Sequence, residues 1–314
     1  MPLRMPLNRG QVQKGSKRTT LRFNDMKNPN QAVDELNHIL RLHHAASQKG
    51  DSSYAGEYLA LSNLASRLGI FRGYLVDIAA SDGYSQSCTL GFLRDQGWSG
   101  LAVEMDPLKF ASLSYLYSNF SNCCLAKSRV TPSNIGSLLN AFEVPHDFDL
   151  LNLDIDSYDL YVIDSMLRSS FQPKIISMEI NEKIPPGIFF TVDFKESHYW
   201  QGDHFYGCSL DAAAITVKRY GYILQSLEYN NAIFIREDCA RSPFLRTDFQ
   251  DLTPESAYAA GYRNRQDRYR LFHWNQDVNH WLDLPPQEAC VEIAKFFTKY
   301  NGTYKLWALK QSAE

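Results

Sequence analysis

The sequence predicts an α/β protein built on a mostly parallel seven-stranded sheet, and three observations carry that prediction. First, short apolar runs alternate with helical segments from residue 74 onward, as in a parallel sheet covered on both faces. Second, Tyr74-Leu-Val-Asp-Ile-Ala-Ala-Ser-Asp-Gly-Tyr-Ser-Gln-Ser-Cys-Thr89 reads as a strand, a tight turn of small residues and a helix start. Third, the last two runs, 222–228 and 231–236, are too close for a crossover and must form an antiparallel hairpin. The fold class is therefore Rossmann-like, with a C-terminal antiparallel hairpin strand and helical additions at both ends.

A chain of 314 residues buries a full core with room for additions. The formal net charge of −3 supplies no global basic field, which argues against nucleic acid as the partner. Six cysteines, Cys88, Cys123, Cys124, Cys208, Cys239 and Cys290, are too scattered for a disulfide framework and read as reduced thiols. Cys123 and Cys124 are expected in a buried strand. No run of about eighteen apolar residues occurs, so no membrane span is expected, and no secretory h-region opens the chain. These features lead to the expectation of a soluble, cytoplasmic protein.

Four segments are expected. Residues 1–22 form a basic arm, with Arg4, Arg9, Lys14, Lys17, Arg18 and Arg22 and no acid before Asp25. Residues 23–72 carry two helices, over 31–47 and 55–68, the second marked by Leu59, Leu61, Leu64 and Leu68. Residues 73–238 hold the sheet, with strands at 74–79, 100–104, 122–127, 148–154, 174–180, 222–228 and 231–236. Helices are predicted over 84–96, 107–118, 132–142, 158–169 and 209–220. Residues 239–314 form a C-terminal extension.

The turn after Asp77 has small residues that let a ligand approach the backbone, followed by the free N–H groups of a helix start. Glu104 ends the second strand, where a carboxylate can accept two ribose hydroxyls side by side. Together, Asp77-Ile-Ala-Ala-Ser-Asp-Gly-Tyr-Ser-Gln-Ser resembles the D-I-G-A-x-D-G-x-x-x-S opening of the FkbM-like class I S-adenosylmethionine-dependent methyltransferases. Gln96-Gly-Trp-Ser-Gly-Leu-Ala-Val-Glu104, Asp149-Leu-Leu-Asn-Leu-Asp-Ile-Asp156, Pro173-Lys-Ile-Ile-Ser-Met-Glu-Ile-Asn181 and Phe205-Tyr-Gly-Cys-Ser-Leu210 are similar to later segments of that group. The resemblance spans roughly residues 73–238. It implies S-adenosylmethionine as cofactor, held by Asp77, Ala79, Ser81, Asp82, Gly83, Glu104, Met105, Lys127 and Ser128. The chain departs from the pattern where Ala79 and Ser81 replace loop glycines, which leaves Gly83 as the expected point of close approach.

Asp154 and Asp156, and likewise Glu179 and Asn181, are two residues apart at neighbouring strand ends. Alternating side chains would bring each pair to one side of the sheet's carboxyl edge. Clustered carboxylates are reconciled either by a hard divalent cation or by a raised pKa that makes one of them a general acid or base. Asp154, Glu179 and Asn181 are thus candidate Mg²⁺ ligands by analogy with O-methyltransferases, and Asp154 is a candidate catalytic residue. Hydrogen bonding to loop amides is the plainer alternative.

The Pro- and aromatic-rich stretch after Asn181 reads as a long binding loop, with His204, or His198, as a candidate general base. In the extension, Arg263, Arg265, Arg268 and Arg270 interleave with aromatics and with Asp267 and Asp277, which favours a solvated or interdomain surface over an anion site. An amphipathic helix over 287–300, with Ala289, Val291, Ile293, Ala294, Phe296 and Phe297 as its apolar side, is expected to dock on the main domain or on a second copy of the chain. The function expected is methylation of a small-molecule or sugar hydroxyl. An NAD-dependent oxidoreductase and a non-catalytic binding module are the alternatives.

Overall fold

The computed structural model describes residues 50–310, apart from 244 and 246–248, together with positions 37, 41, 44 and 45. The basic arm and most of the 31–47 helix lie outside the described residues. The first helix described along its whole length is α1 (Glu57–Arg67), which buries Leu61, Leu64 and Ala65. Then β1 (Tyr74–Ile78), α2 (Leu90–Asp95), β2 (Ser99–Glu104), α3 (Pro107–Tyr117), β3 (Cys123–Lys127), α4 (Ile135–Ala141), β4 (Leu150–Leu153), α5 (Asp159–Arg168) and β5 (Ile175–Glu179) alternate. After β6 (Ile188–Val192) come α6 (Leu210–Lys218) and the hairpin of β7 (Tyr222–Glu228) and β8 (Asn231–Arg236).

The seven-stranded sheet runs β3-β2-β1-β4-β5-β8-β7, with β8 antiparallel to both its neighbours. This agrees with the predicted fold class. β4 and β5 are buried on both faces almost throughout, which accounts for their apolar runs Leu150-Leu151 and Ile175-Ile176. Local chemistry starts the flanking helices. Asp106 caps α3 by accepting from the N–H groups of Leu108 and Lys109 at 2.8 and 2.9 Å, ahead of Pro107. Ser209 caps α6 through the N–H of Ala212.

Two strands were not expected. β6 falls in the predicted long loop and pairs antiparallel with β9 (Tyr304–Ala308) near the end of the chain. The prolines before Gly187 mask the apolar run Ile188–Val192, and its partner is remote in sequence. This second sheet closes a third core of Ile184, Ile188, Phe190, Phe205, Trp281, Ile293 and Phe297. The extension supplies α7 (Glu237–Ala240), α8 (Pro254–Tyr258), α9 (Arg268–Leu271) and α10 (Pro286–Phe296). α10 buries Ala289 and Ile293 against that core, but Val291 and Phe296 of its predicted apolar side are exposed.

Of the four clustered arginines, two are paired, one of them to the hairpin. Arg265 stacks on Tyr229 at 4.1 Å and pairs with Glu228 at 3.4 Å, and Arg263 pairs with Asp283 at 3.1 Å. β3 is an edge strand, so Cys124 is exposed, contrary to expectation. All six cysteines are free. Among the described residues no helix is long and apolar enough to cross a membrane.

Candidate active site

Two cavities open at the carboxyl edge of the sheet. The first, of about 350 Å³, is lined by the loop after β1, the end of β2, the segment after β3 and the end of β4. The second, of about 670 Å³, lies beside it under the extension. Both are walled by Gln86, Cys88, Asn152, Asp154, Asp156 and Trp200, so the two spaces meet at the ends of β1 and β4.

Asp77 lies at the floor of the first cavity, 3% exposed. It accepts hydrogen bonds from Thr89 Oγ1 at 2.6 Å and from Asn152 Nδ2 at 2.8 Å. Burial raises its pKa, and those two donors oppose the rise. Asp77 thus ties the loop and β4 to β1. Glu104 accepts the N–H of Ser81 at 2.9 Å through Oε2 and that of Asp106 at 2.6 Å through Oε1. It holds the loop against β2 and still lines the cavity, where each oxygen keeps a second lone pair.

The loop turns through left-handed conformations at Ala79, φ 67°, and Ser81, φ 53°. These are the positions at which the sequence lacks the glycines of the resembled pattern. Ala79, Ser81, Met105 and Ser128 line the cavity as expected. Asp82, Gly83 and Lys127 are absent from its wall, and each has a different task. Asp82 accepts from the N–H groups of Tyr84 and Ser85 at 2.9 and 2.7 Å and so builds the turn. Gly83, φ 81°, packs on α3: a Cβ there would come within 2.7 Å of Leu113 and 2.8 Å of Tyr117. Lys127 is exposed at the edge of the sheet.

The predicted helix over 84–96 starts only at Leu90. Residues 84–88 instead curl along the cavities, with Gln86 in a left-handed conformation, φ 61°. Close approach therefore comes from Ala79, Ala80 and Ser81.

The three carboxylates converge as the sequence predicts, whereas Asn181 is engaged elsewhere. Asp154, Asp156 and Glu179 each bring an oxygen within 4.8 Å of the others. Asn181 lines neither cavity: its Nδ2 donates to the carbonyls of His204 and Tyr206 at 2.9 and 3.0 Å, pinning the loop before α6, and its Oδ1 accepts the N–H of Lys183 at 3.4 Å. Burial, then repulsion from Asp156 and Asp159, pushes Asp154 up to about 8. Glu179 is also raised, by burial and then by Asp154 and Asp156. Its Oε1 accepts from Asn230 at 3.0 Å, whereas its buried Oε2 has no hydrogen-bond partner among the described residues. A carboxyl poised near neutrality can take a proton from an acceptor.

Of the two candidate histidines, His204 lines the second cavity, with Nε2 3.1 Å from Asp277. His198 lines the first, and burial, followed by Arg129, lowers its pKa. Arg129, not anticipated from the sequence, clasps this segment. It donates to the carbonyls of Glu196 and His198 and lies 4.5 Å over the Tyr199 ring. Asn152 also escaped notice, although a lone amide in the apolar run of β4 was its signal. Tyr54, Phe272 and Trp274 join the second cavity from segments remote in sequence, for which no local pattern exists.

No protein-family model matches the chain, and no curated protein matches it in sequence. Among solved structures it is similar to an O-methyltransferase from Bacillus cereus in complex with S-adenosylhomocysteine. That match has 15% identity, covers 64% of this chain and 89% of that one, and has a TM-score of 0.38. An S-adenosylmethionine-dependent methyltransferase from Clostridium acetobutylicum is similar at 11% identity, over 65% and 98% of the chains, with a TM-score of 0.37. The N-terminal domain of EvdMO1 with S-adenosylhomocysteine bound is similar at 8% identity, over 57% and 78%, with a TM-score of 0.35.

Proposed function

We propose that the protein is an S-adenosylmethionine-dependent methyltransferase acting on a hydroxyl of a small-molecule or carbohydrate acceptor. The observation that carries this reading is the meeting of two cavities at the ends of β1 and β4. The loop and Glu104 line one cavity, Asp154 and Asp156 line both, and Glu179 lines the other. S-adenosylmethionine would supply an electrophilic methyl group on a sulfonium sulfur. Glu104 is the residue to receive the ribose hydroxyls, with Ala79 and Ser81 presenting backbone beside it. Asp77 and Asn152 keep the loop in place. Asp154, at the junction, accepts the proton that the acceptor hydroxyl loses as its oxygen takes the methyl.

A second reading has Asp154, Asp156 and Glu179 bind Mg²⁺, which would acidify the acceptor hydroxyl. The unpartnered Glu179 Oε2 favours it. If Mg²⁺ and EDTA leave activity and melting temperature unchanged, the metal reading is refuted.

Calorimetry tests the main proposal. S-adenosylhomocysteine should bind the wild type, and Glu104→Ala should weaken it about tenfold or more, the loss of a paired charge-assisted contact. Binding of NADH in place of S-adenosylhomocysteine would instead identify an oxidoreductase. Tight S-adenosylhomocysteine binding without methylation of any acceptor in a metabolite extract would identify a non-catalytic module.

A further inference from the structure

We infer that the second cavity admits an acceptor bearing a protonated amine, with the ammonium against Asp154, Asp156 and Glu179 and its organic body on an aromatic wall. What happens to that acceptor rests on the proposed methyl transfer; the charge preference of the cavity does not.

The charges that face the cavity are unevenly paired. Asp203 is already occupied, by Lys299 Nζ at 2.9 Å and Tyr300 Oη at 2.5 Å. His204 is held by Asp277. Lys183, the other cationic residue of the lining among the described residues, is 2% exposed and donates to Glu182 at 3.1 Å and Tyr206 Oη at 2.9 Å. That leaves Glu57, Asp154, Asp156 and Glu179 with no hydrogen bond to a cation among the described residues, Lys109 of the first cavity and Lys183 acting on Asp156 only through space. Glu57 has one backbone donor, the N–H of Ala55 at 2.8 Å. Glu179 is 6% exposed, and its Oε2 meets no donor among the described residues other than the neighbouring Asp154 carboxyl. A buried acceptor in that state lacks the bond that would offset its desolvation.

An ammonium has three N–H donors, and three carboxylates present oxygens within 4.8 Å of one another. The rest of the wall is aromatic. Tyr54, Trp200, Phe272 and Trp274 line the same space. Tyr54 meets Phe272 edge-on at 6.0 Å, and Phe272 meets Trp274 at 5.4 Å. Trp200 and Trp274 remain 44% and 48% exposed. Aromatic faces attract organic cations and stack on flat rings. A bare divalent ion needs oxygen ligands and gains nothing from such a wall.

Tyramine and tyrosol test this, because they share a ring and chain length and differ in an ammonium against a hydroxyl. Each is titrated calorimetrically at neutral pH into the full chain, with and without saturating S-adenosylhomocysteine. Tyramine should bind about tenfold tighter than tyrosol, and added salt should shrink that ratio. Asp156→Asn should bring the ratio close to one. Trp274→Ala, at an exposed position, should weaken both probes alike. Equal binding of the two probes, or Mg²⁺ binding that excludes tyramine, would overturn the inference. A tyramine preference that persists while S-adenosylhomocysteine fails to bind would uphold the inference and refute the cofactor assignment.

Discussion

Replacing Glu182 by Gln should destabilise the protein by about 3–5 kcal/mol, the range for stripping one partner from a buried ion pair. Glu182 is fully buried beside Lys183, itself 2% exposed. The carboxylate accepts from Lys183 Nζ at 3.1 Å, Asn275 Nδ2 at 2.6 Å and Tyr206 Oη at 2.6 Å. Tyr258 of α8 donates to its backbone carbonyl. One residue after Asn181 therefore anchors the extension, through Tyr258 and Asn275, and a wall of the second cavity, through Tyr206. An amide there still accepts two of the bonds, but it leaves the Lys183 ammonium without a countercharge.

Burial alone would raise the pKa of Glu182, but Lys183, Tyr206 and Asn275 outweigh it and hold the pKa below 4.5. The carboxylate's contribution is thus present above the unfolded value and lost as pH falls through the lower folded value. Differential scanning calorimetry at pH 7 should show a melting temperature lower by on the order of 10 °C, and the gap to wild type should narrow in acid. Adding Lys183→Met should restore much of the loss, because the stranded charge disappears. A single variant as stable as wild type at pH 7, or a double variant no better than the single one, would refute the reasoning.

Asp211, in the first turn of α6 and 5% exposed, is pushed up to about 7 by burial and then by Glu255. Its raised pKa makes stability fall as pH rises from 3.8 to about 7. Urea unfolding should therefore show Asp211→Asn gaining roughly 3 kcal/mol on wild type between pH 5 and 7, and a constant difference would count against it. Ala79→Gly should stabilise by up to about 1 kcal/mol by relieving a left-handed alanine, with S-adenosylhomocysteine affinity retained; a lower melting temperature would contradict this. Gly83→Ala should cost roughly 1–3 kcal/mol through its φ of 81° and the approach to Leu113 and Tyr117. Unchanged stability in urea would show that α3 yields there.

Much of the sheet was legible because its signals are local. Apolar runs mark β1, β2, β4 and β5, and the short link between β7 and β8 allows only a hairpin. Carboxylates that line the cavities were legible at or near the ends of such strands, as at Asp77, Glu104, Asp154 and Glu179. The reading failed where one residue type serves two purposes. Gly83 and Asp82 look like ligand-binding residues, yet one makes room for α3 and the other builds a turn. Asn181 looks like an oxygen ligand, and its amide is spent on two loop carbonyls. Arg129 carried no signal, since its partners arrive from a segment some seventy residues on.

The sequence by itself determined the alternation of strands and helices, the closing hairpin and the carboxylates at the strand ends, because hydrophobic period and turn chemistry act over a few residues. Only the tertiary structure decided the partners of those carboxylates. It tied Asn181 to two loop carbonyls, paired β6 with β9, and brought Tyr54, Phe272 and Trp274 to one cavity. Such meetings depend on how distant segments pack, and a side chain's chemistry follows from what packing puts beside it and how much water it removes.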